Sequence, residues 1–469
     1  MLKVLITGAT GFIGARFLDS LQNVKDLELI AISRKVSPIM DGAKKGNVTW
    51  RRCDGFNMLN VEDVTKDVDV IIYLIHSMAP PTTLSQGNFA DFDLYLADNF
   101  AYAAHKNKVK RIIYLSGLIP EDDGELSKHL KSRLEVEKAL AGYSNKLTTL
   151  RAGIIVGKNG SSFKILDKLV TRLPILLCPT WALTKSQPID IDDVTTSLRY
   201  CLDNAETVSK TYDIGGPQVI TYKGMLEETA RSLGKKRLIL HFPFFIPQLS
   251  KFWVSNVAST PRHLVYPLVE SMRHKMICDP QKQLIIEGHE YVSSEDSIKR
   301  GVTNGEASIV RSIINYNRNL NLSFLKNVTS MQRLENPRNQ TADELADIYF
   351  DWLPSYMKPF IKVVKEGDHV EFRLLGVGIL KLRRSRERSD EHRVLFYIDG
   401  GVLARKQTLR GRLEFRRIKS TKVCLVALLD FRPSLPWFVY SSSQALVHMV
   451  VMSSFQKYLS TLDTRESNA

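Results

Sequence analysis

The sequence predicts an α/β protein with a doubly wound parallel sheet in its first part and a separate α+β domain at its C-terminal end. Short apolar runs alternate with amphipathic stretches over the first 150 residues, and the runs are rich in Val, Ile and Leu. Strands that helices cover on both faces have this composition. In the last 120 residues, strand-like runs come first and one long helical pattern follows. This order favours an antiparallel sheet closed by a helix.

The predicted elements follow the chain in that order. The apolar runs predict strands at Lys3–Ile6, Leu27–Ser33, Val68–Ile75, Arg111–Ser116 and Leu147–Ile155. Helical periodicity predicts helices at Phe89–Lys106 and Ser127–Gly142. One more strand, Tyr212–Gly216, and one more helix, Thr221–Leu233, extend the pattern. Because strands and helices alternate, we expect βαβ units and a parallel sheet.

Composition divides the chain into four expected segments. The α/β domain covers 1–240, and a helical extension rich in Phe, Pro, Trp and His covers 241–300. A polar, Asn-rich linker is expected over 301–345. The α+β domain covers 346–469, with strand-like runs at 362–382, 394–403, 413–417 and 423–429 and a helical pattern at 437–459.

Charge and cysteine content limit the class of protein. The 469 residues contain 65 Lys and Arg against 50 Asp and Glu, a net charge of +15, which favours anionic partners. Five widely spaced cysteines form no CxxC pair, which indicates reduced thiols rather than a disulfide framework or a zinc site. We find no apolar run long enough for a transmembrane helix and no secretory signal. We therefore expect a cytoplasmic protein that holds no metal.

A glycine-rich turn near the N-terminus carries the strongest chemical signal. The run Lys3-Val-Leu-Ile-Thr-Gly-Ala-Thr-Gly-Phe-Ile-Gly14 leads from a predicted strand through a turn into a helix. The first glycine permits the tight turn, the second lets the backbone approach a pyrophosphate, and the third lets helix and strand pack closely. The positive end of the helix favours the phosphates. We therefore expect a dinucleotide on Gly8, Thr10, Gly11, Phe12, Ile13 and Gly14; a glycine-rich turn without a ligand is the alternative.

The end of the second predicted strand indicates which dinucleotide is preferred. An NAD site usually has an Asp or Glu there to bind the ribose 2′-hydroxyl, whereas this chain has Ser33, Arg34 and Lys35. A hydroxyl and two cations suit a 2′-phosphate, so NADP(H) is expected over NAD(H), and ordinary surface charge is the alternative. Asp54, after the third predicted strand, either accepts a hydrogen bond from the adenine or forms a turn.

These motifs resemble those of short-chain dehydrogenases/reductases over residues 1 to about 240. The Thr7–Gly14 motif resembles the extended and atypical branches, which include NmrA-like and epimerase-like proteins. The segments Tyr73–Met78, Tyr114–Leu118, Leu150–Gly157 and Gln187–Asp193 resemble later segments of the same family. The resemblance implies a Rossmann-like fold that binds NAD(P), with Ile75 and His76 beside the nicotinamide ribose.

A second resemblance concerns the C-terminal half of the chain. Leu249–Trp253 and Leu268–Met272 resemble connecting helices of bacterial atypical reductase-like proteins, and Pro436-Trp437 resembles the start of their last helix. In those proteins the C-terminal domain belongs to the START-like (polyketide-cyclase-like) helix-grip class. The resemblance implies an apolar cavity in this domain and a hydrophobic small molecule as its ligand.

The catalytic pattern of the family is present only in part. The resemblance implies a Ser or Thr that polarises the substrate carbonyl, a Tyr that exchanges a proton, and a Lys four residues later. Ser116 lies at the expected strand end, but the next helix has no Tyr, and the four-residue spacing falls on His129 and Arg133. A histidine transfers protons near neutral pH, and an arginine holds a ribose hydroxyl or a phosphate. Arg133 would favour a neutral His129, a base rather than the acid that carbonyl reduction needs.

Ser116, His129 and Arg133 are therefore the candidate catalytic residues, and alternatives stay open. His129 and Arg133 would also suit a helix face that contacts the cofactor without chemistry, and His76 either relays a proton or bonds to the backbone. One expected function is an NADP(H)-dependent oxidoreductase acting on a hydrophobic carbonyl, enoyl or quinone-like substrate. Another is a non-catalytic dinucleotide sensor that binds a protein partner, as NmrA-like proteins do.

The densest basic runs lie in the predicted C-terminal domain. Residues 381–422 contain 14 Lys and Arg against 5 Asp and Glu. The runs predict either a patch for an anionic membrane surface, with nucleic acid the less expected anion, or charged strand faces that prevent edge pairing. Leu413, Phe415 and Ile418 interleave with the charges as in an amphipathic strand. A lipid-binding module is thus a third function class.

Overall fold

The computed structural model describes two compact units of the chain. The residues described are 1–34, 36, 41–76, 85–120, 124–241, 262–303, 327–404, 410–435, 439–440 and 443–466. The first unit comprises Met1–Ala79 and Asn99–Leu320, and the second comprises Pro80–Asp98 and Asn321–Ala469. The resemblance segments Leu249–Trp253 and Pro436-Trp437 lie outside the described residues, as do Lys35 and Met78.

The first 241 residues alternate strands and helices as predicted. The strands are β1 (Leu2–Ile6), β2 (Leu27–Ser33), β3 (Lys44–Lys45), β4 (Val48–Arg52), β5 (Val70–Tyr73), β6 (Ser85–Gln86), β7 (Arg111–Gly117), β8 (Leu147–Ala152), β9 (Ile155–Val156), β10 (Ile175–Cys178), β11 (Lys185–Ser186), β12 (Ile189–Asp190), β13 (Thr211–Ile214), β14 (Ile220–Thr221) and β15 (Leu238–His241). The helices up to residue 303 are α1 (Phe12–Ser20), α2 (Met58–Val64), α3 (Phe89–Lys106), α4 (Lys128–Leu140), α5 (Ser161–Arg172), α6 (Ile191–Asp203), α7 (Tyr222–Ser232), α8 (Arg262–Ser271) and α9 (Ser294–Thr303).

The main sheet of the first unit has eight strands in the order β13-β8-β7-β5-β1-β2-β4-β3. All neighbours pair in parallel except β3 and β4. This confirms the Rossmann-like parallel sheet. Its strand order reverses between β1 and β5, and at such a point the carboxyl ends of parallel strands form a crevice that binds ligands. Three two-stranded sheets, β10–β15, β11–β14 and β9–β12, complete the unit.

The centre of this sheet is buried on both faces, which explains its unbroken apolar runs. Val4, Leu5 and Ile6 of β1 are fully buried, and so are Phe17 and Leu18 of α1. All five cysteines are free and buried. Burial raises the pKa of the Cys178 and Cys201 thiols to about 11, so both are protonated at neutral pH.

The second unit is built on a mostly antiparallel sheet with helices, as expected. Its strands are β16 (Val328–Glu335), β17 (Ile361–Glu366), β18 (His369–Leu374), β19 (Val377–Arg384), β20 (Arg393–Gly400), β21 (Arg412–Arg417) and β22 (Val423–Phe431), and its helices are α10 (Ala342–Tyr356) and α11 (Gln444–Glu466). The order is β17-β18-β19-β20-β21-β22-β16-β6. The run at 362–382, predicted as one strand-like stretch, forms parts of three strands. A positive φ at Gly367 and again at Leu375 and Gly376 turns the chain between them.

Aromatic side chains fill the interior between this sheet and its helices. Ring centroids in the group lie 5.1–6.3 Å apart, and the group comprises Tyr349, Phe350, Phe372, Phe396, Phe415 and Phe455. A capping box at Thr341 and Glu344 starts α10. The rings therefore form the core between the sheet and its helices.

One segment departs from the expected division of the chain. We assigned all of 1–240 to the first domain, but the structure places 80–98 with the second unit. Strand β6 pairs in parallel with β16, and Asp91 and Asp98 of α3 accept hydrogen bonds from Arg333 and Arg416 at 2.6 and 2.7 Å. Both aspartates are buried. The bounds of α3 are those predicted, but the partners of its first ten residues could not be identified from local sequence.

Candidate functional site

The turn after β1 is fixed to the neighbouring strand by a buried threonine. The Thr7 hydroxyl donates to the Ile72 carbonyl at 3.2 Å and accepts from the Leu74 amide at 2.9 Å. The Thr7 amide also donates to the Ile72 carbonyl, at 3.0 Å. These three bonds hold the carboxyl ends of β1 and β5 together where the strand order reverses. No local sequence motif indicates this role of Thr7.

The three glycines of the turn are required for different reasons. Gly8 has φ +62°, and a Cβ there would lie 2.8 Å from the Leu74 carbonyl oxygen. A Cβ on Gly14 would lie 2.3 Å from the Gly8 carbonyl oxygen, so this glycine allows the close helix–strand packing. Gly11 is exposed and extended, and its Cβ would meet only the Gly8 carbonyl oxygen, at 3.0 Å. The fold thus needs Gly8 and Gly14, while the open side of Gly11 suits a ligand.

Helix α1 begins at this turn without a side-chain cap. The backbone N–H groups in the first turn of a helix have no acceptor within the helix, and those of α1 point toward its N-terminal end. The Phe12 ring lies against Gly157 and Gly160, whose Cβ atoms would come within 2.7 and 3.0 Å of it. Ile13 packs on the core of the sheet. The side chains of Phe12 and Ile13 therefore hold the helix in place, which leaves their backbone amides for any contact with a ligand.

The end of β2 carries the residues predicted to select the cofactor. The Ser33 hydroxyl lies 3.5 Å from that of Thr10, which brings it beside the glycine-rich turn. Arg34 is exposed, and Lys35 lies outside the described residues. Asp54 accepts a hydrogen bond from the Phe56 amide at 3.2 Å, the bond expected of a turn aspartate.

Two segments carry the predicted catalytic residues: the end of β7 has Ser116, and the next helix, α4, has His129 and Arg133. Ser116 is 6% exposed, and within the described chain its hydroxyl has no hydrogen-bond partner. A Cβ on the next residue, Gly117, would lie 3.7 Å from Cγ of Arg133, so the arginine stem of α4 packs on this strand end. The His129 ring, one turn earlier on α4, lies 5.1 Å from the exposed His76 ring. Ile75 is half-buried beside His76 after β5.

A buried pair of serines sets the position of α4. Ser127 caps the helix by accepting from the Leu130 amide at 3.3 Å, and its hydroxyl lies 2.9 Å from that of Ser271 in α8. Deeper along α4, Glu137 forms a two-bond ion pair with Arg151 of β8, at 3.1 and 2.7 Å. The Ser127 cap could be recognised from the sequence, because serine before a helical pattern is a capping signal. Its partner, 144 residues away, could not.

The basic runs of the second unit are largely neutralised by carboxylates. Six of their arginines form ion pairs: Arg383–Asp399, Arg384–Asp343, Arg386–Asp368, Arg393–Glu414, Arg412–Asp430 and Arg416 with both Glu414 and Asp98. Burial alone would raise the pKa of Glu414, but Arg393, Arg416 and Arg412 outweigh it and hold that pKa well below its usual range. The arginines of three pairs, Arg393, Arg412 and Arg416, are buried, and the other three lie at the surface with their carboxylate partners.

The described residues contain neither a membrane-spanning helix nor a group of metal ligands. None of the described helices combines the length and the hydropathy needed to cross a bilayer. Among the same residues, no three His, Cys, Asp or Glu side chains are grouped so as to hold a metal ion.

Comparison with known proteins agrees with the glycine-rich turn and the crevice beside it. Residues 8–166 match the protein-family model described as NAD(P)H-binding. The N-terminal region is an NAD(P)H-binding Rossmann region. A crystal structure of an NADPH-dependent quinone oxidoreductase from Escherichia coli, complexed with NADPH, matches 64% of this chain and 100% of its own, at 18% identity and a TM-score of 0.50. At this identity the likeness shows the fold.

Curated relatives match parts of this chain. The chain is 35% identical over 117 residues to the auxiliary protein GraX of Staphylococcus aureus, covering 24% of this chain and 36% of GraX. It is 24% identical over 227 residues to the mitochondrial NADH dehydrogenase (ubiquinone) 1 alpha subcomplex subunit 9 of Arabidopsis thaliana, covering 47% of this chain and 56% of that subunit. The matches thus span about a third to just over half of these relatives.

Proposed function

We propose that this chain is an NADP(H)-dependent oxidoreductase that acts on a hydrophobic carbonyl, enoyl or quinone-like substrate in the cytoplasm. The observation that carries the proposal is the buried Ser116 hydroxyl at the end of β7, which has no hydrogen-bond partner within the described chain. The next residue of the strand, Gly117, lies against Arg133 of α4. A buried polar group without a partner is costly. A substrate oxygen would give this hydroxyl its hydrogen bond.

The dinucleotide fits the glycine-rich turn. The open side of Gly11 and the uncapped start of α1 suit a pyrophosphate, and Ser33 and Arg34 suit a 2′-phosphate, which is why we propose NADP(H) over NAD(H). Asp54 can contact the adenine only in addition to its turn bond. When bound, the cofactor supplies or accepts the hydride.

The chain's own residues then orient the substrate and move the proton. Ser116 donates a hydrogen bond to the substrate oxygen, and Arg133 holds a ribose hydroxyl or phosphate with its fixed charge. His129 exchanges the proton, as histidine does near neutral pH. When the substrate is reduced, the exposed His76, with its ring 5.1 Å from that of His129, returns a proton from water to His129; when the substrate is oxidised, the proton passes the opposite way.

A sensor that binds dinucleotide without turnover is the second candidate. It is favoured by the absence of a Tyr from α4, where His129 and Arg133 occupy the family's Tyr and Lys positions. It is also favoured by the names of two relatives, an auxiliary protein and a subunit of a larger complex. In this candidate, Arg133 and His129 would only contact the cofactor.

For the second unit we propose the helix-grip (START-like) class. The proposal is supported by the order of its elements, in which strands β17–β22 precede the long helix α11. A hydrophobic small molecule bound by this unit, as the resemblance implies, stays part of the proposal.

A double substitution separates the enzyme from the sensor. The Ser116→Ala/His129→Ala variant should lose turnover at least about a hundredfold, since general acid–base groups contribute ~10²–10⁴-fold, while NADPH still binds. The assay follows NADPH absorbance with a panel of aldehydes, ketones, enones and quinones, and calorimetry follows binding. Ser20→Ala/His105→Ala, with both changes at exposed helix positions of the same unit, is the matched control and should behave as wild type. Robust turnover in the double variant would refute the catalytic assignment; NADPH binding without turnover of any substrate would establish the sensor.

A further inference from the structure

The described residues of the second unit expose ten large hydrophobic side chains, and five of them form one patch. We call this patch the apolar tip; its members, with their exposed fractions, are Phe360 (53%), Leu374 (40%), Leu375 (72%), Val377 (55%) and Val402 (61%). Backbone hydrogen bonds connect its three segments. The Leu375 amide donates to the Phe360 carbonyl at 3.0 Å, and the Val402 amide donates to the Gly378 carbonyl at 3.2 Å. Contiguous exposed apolar surface of this kind marks an interaction site.

The turn at the apolar tip holds a leucine in an unfavourable conformation. Leu374 pairs with Val377, so Leu375 and Gly376 form a two-residue hairpin loop with φ +50° and +89°. Such loops favour Asn, Asp or Gly at the first position because their side chains tolerate a positive φ. The Leu375 side chain is 72% exposed, so burial within the fold does not compensate for the strain. Strain of this kind that the fold does not require is associated with function.

Three cations and one acid, Glu371, lie beside the apolar tip. The segments 356–362, 372–378 and 400–404 contain Lys358, Lys362 and Arg373 and no Asp or Glu. Lys358 and Lys362 are exposed, and neither forms an ion pair within the described residues. Arg373 lies opposite Lys362 on the neighbouring strand and pairs with Glu371. An exposed apolar patch with two exposed lysines beside it matches the chemistry of an anionic lipid surface.

The remaining exposed apolar residues of this unit extend from the same region. Tyr356, four residues before Phe360, shares a hydrogen bond of 2.9 Å with Ser454 of α11. One and two turns earlier on that helix, Val450 and Leu446 are 58% and 48% exposed. A tyrosine with an apolar ring and a polar end suits the boundary between lipid and water.

We propose that the apolar tip docks this protein on an anionic membrane surface. Leu375 and its apolar neighbours enter the boundary between headgroups and acyl chains, and Lys358 and Lys362 contact the anionic headgroups. This surface is different from the basic runs of 381–422, whose arginines are largely paired with carboxylates. The proposal does not depend on dinucleotide binding or on turnover.

The Leu375→Asn variant tests the proposal with two readouts that move in opposite directions. Asparagine suits the positive φ, so the melting temperature should rise by about 2–4 °C. Binding of the full chain to vesicles of phosphatidylcholine with phosphatidylserine, measured by co-sedimentation, should weaken about 10–100-fold, because a leucine no longer enters the lipid. A loss of binding caused by misfolding would lower the melting temperature instead.

Two controls and two lipid compositions complete the test. Leu59→Asn, at a 52% exposed leucine of the first unit, should bind vesicles as wild type does. Lys358→Gln/Lys362→Gln should weaken binding to the anionic vesicles, whereas Lys25→Gln, at an exposed lysine of the first unit, should not. The proposal fails if the wild type does not bind anionic vesicles, if it binds pure phosphatidylcholine equally well, or if Leu375→Asn binds unchanged. It also fails if the protein does not bind vesicles and light scattering shows a dimer that Leu375→Asn dissociates. The apolar tip would then be covered by a second copy of the chain.

Discussion

The glycine-rich turn shows how far single residues could be understood from the sequence. The spacing of Gly8, Gly11 and Gly14 predicted a turn between a strand and a helix, and the structure has that turn with a positive φ at Gly8. The sequence could not reveal that Thr7 joins β1 to β5, because its partners Ile72 and Leu74 lie 65 and 67 residues further along the chain. Contacts of this kind depend on the fold and have no local signal.

Cofactor selection is a property of one residue that can be tested directly. Arg34→Ala should weaken NADPH binding about 10–100-fold and leave NADH binding nearly unchanged, because a charge-assisted bond to a phosphate contributes ~1.5–3 kcal/mol. Titration calorimetry with both dinucleotides measures the difference. Arg231→Ala, at an exposed arginine of α7, is the matched control. If Arg34→Ala weakens both cofactors equally or neither, Arg34 does not bind the 2′-phosphate.

At the scale of elements, periodicity located the helices well and their partners poorly. The helix predicted at Ser127–Gly142 is α4 (Lys128–Leu140), and Phe89–Lys106 has the bounds predicted. Local periodicity does not show that α3 begins in the second unit, because its partners there are distant in sequence. Arg333 lies 242 residues beyond its partner Asp91, and Arg416 lies 318 residues beyond its partner Asp98. Gly376 and Gly378 interrupt the strand-like run at 362–382. Its division into three strands depends on turns at Gly367-Asp368 and at Leu375-Gly376, and the second of these lacks the usual Asn or Asp.

The buried ion pair between α3 and β21 should be essential for the second unit. Arg416 and Asp98 have side chains 1% and 0% exposed, and breaking a buried pair by changing one partner costs ~3–5 kcal/mol. Asp98→Asn should therefore lower the free energy of unfolding of this unit by about that amount, measured by urea denaturation. Asp203→Asn breaks the exposed pair with Arg199 on α6 and should cost less than ~1 kcal/mol. Equal midpoints for the two variants would contradict a structural role for Asp98.

For the whole molecule, composition predicted the two kinds of architecture but left the role of the basic stretch open. Residues 381–422 suited either a basic patch or charged strand faces. In the structure the arginines there mostly pair with carboxylates, some of which come from other parts of the chain, such as Asp98 and Asp343. The exposed apolar tip gave no sequence signal, because Leu and Val in strands predict burial. In contrast, the phosphate-binding turn is a local motif, and its function could be predicted from order and spacing alone.

The central claim is that the glycine-rich turn of the first unit holds the pyrophosphate of NADP(H). Titration calorimetry of NADPH into the wild type and into Gly11→Val tests it most directly, because Gly11 is exposed and extended and a Cβ there meets only the Gly8 carbonyl oxygen, at 3.0 Å. We predict that the wild type binds NADPH and that Gly11→Val, still folded as shown by a cooperative melting curve, does not. Wild-type affinity in the folded variant, or no binding by the wild type, would contradict the account.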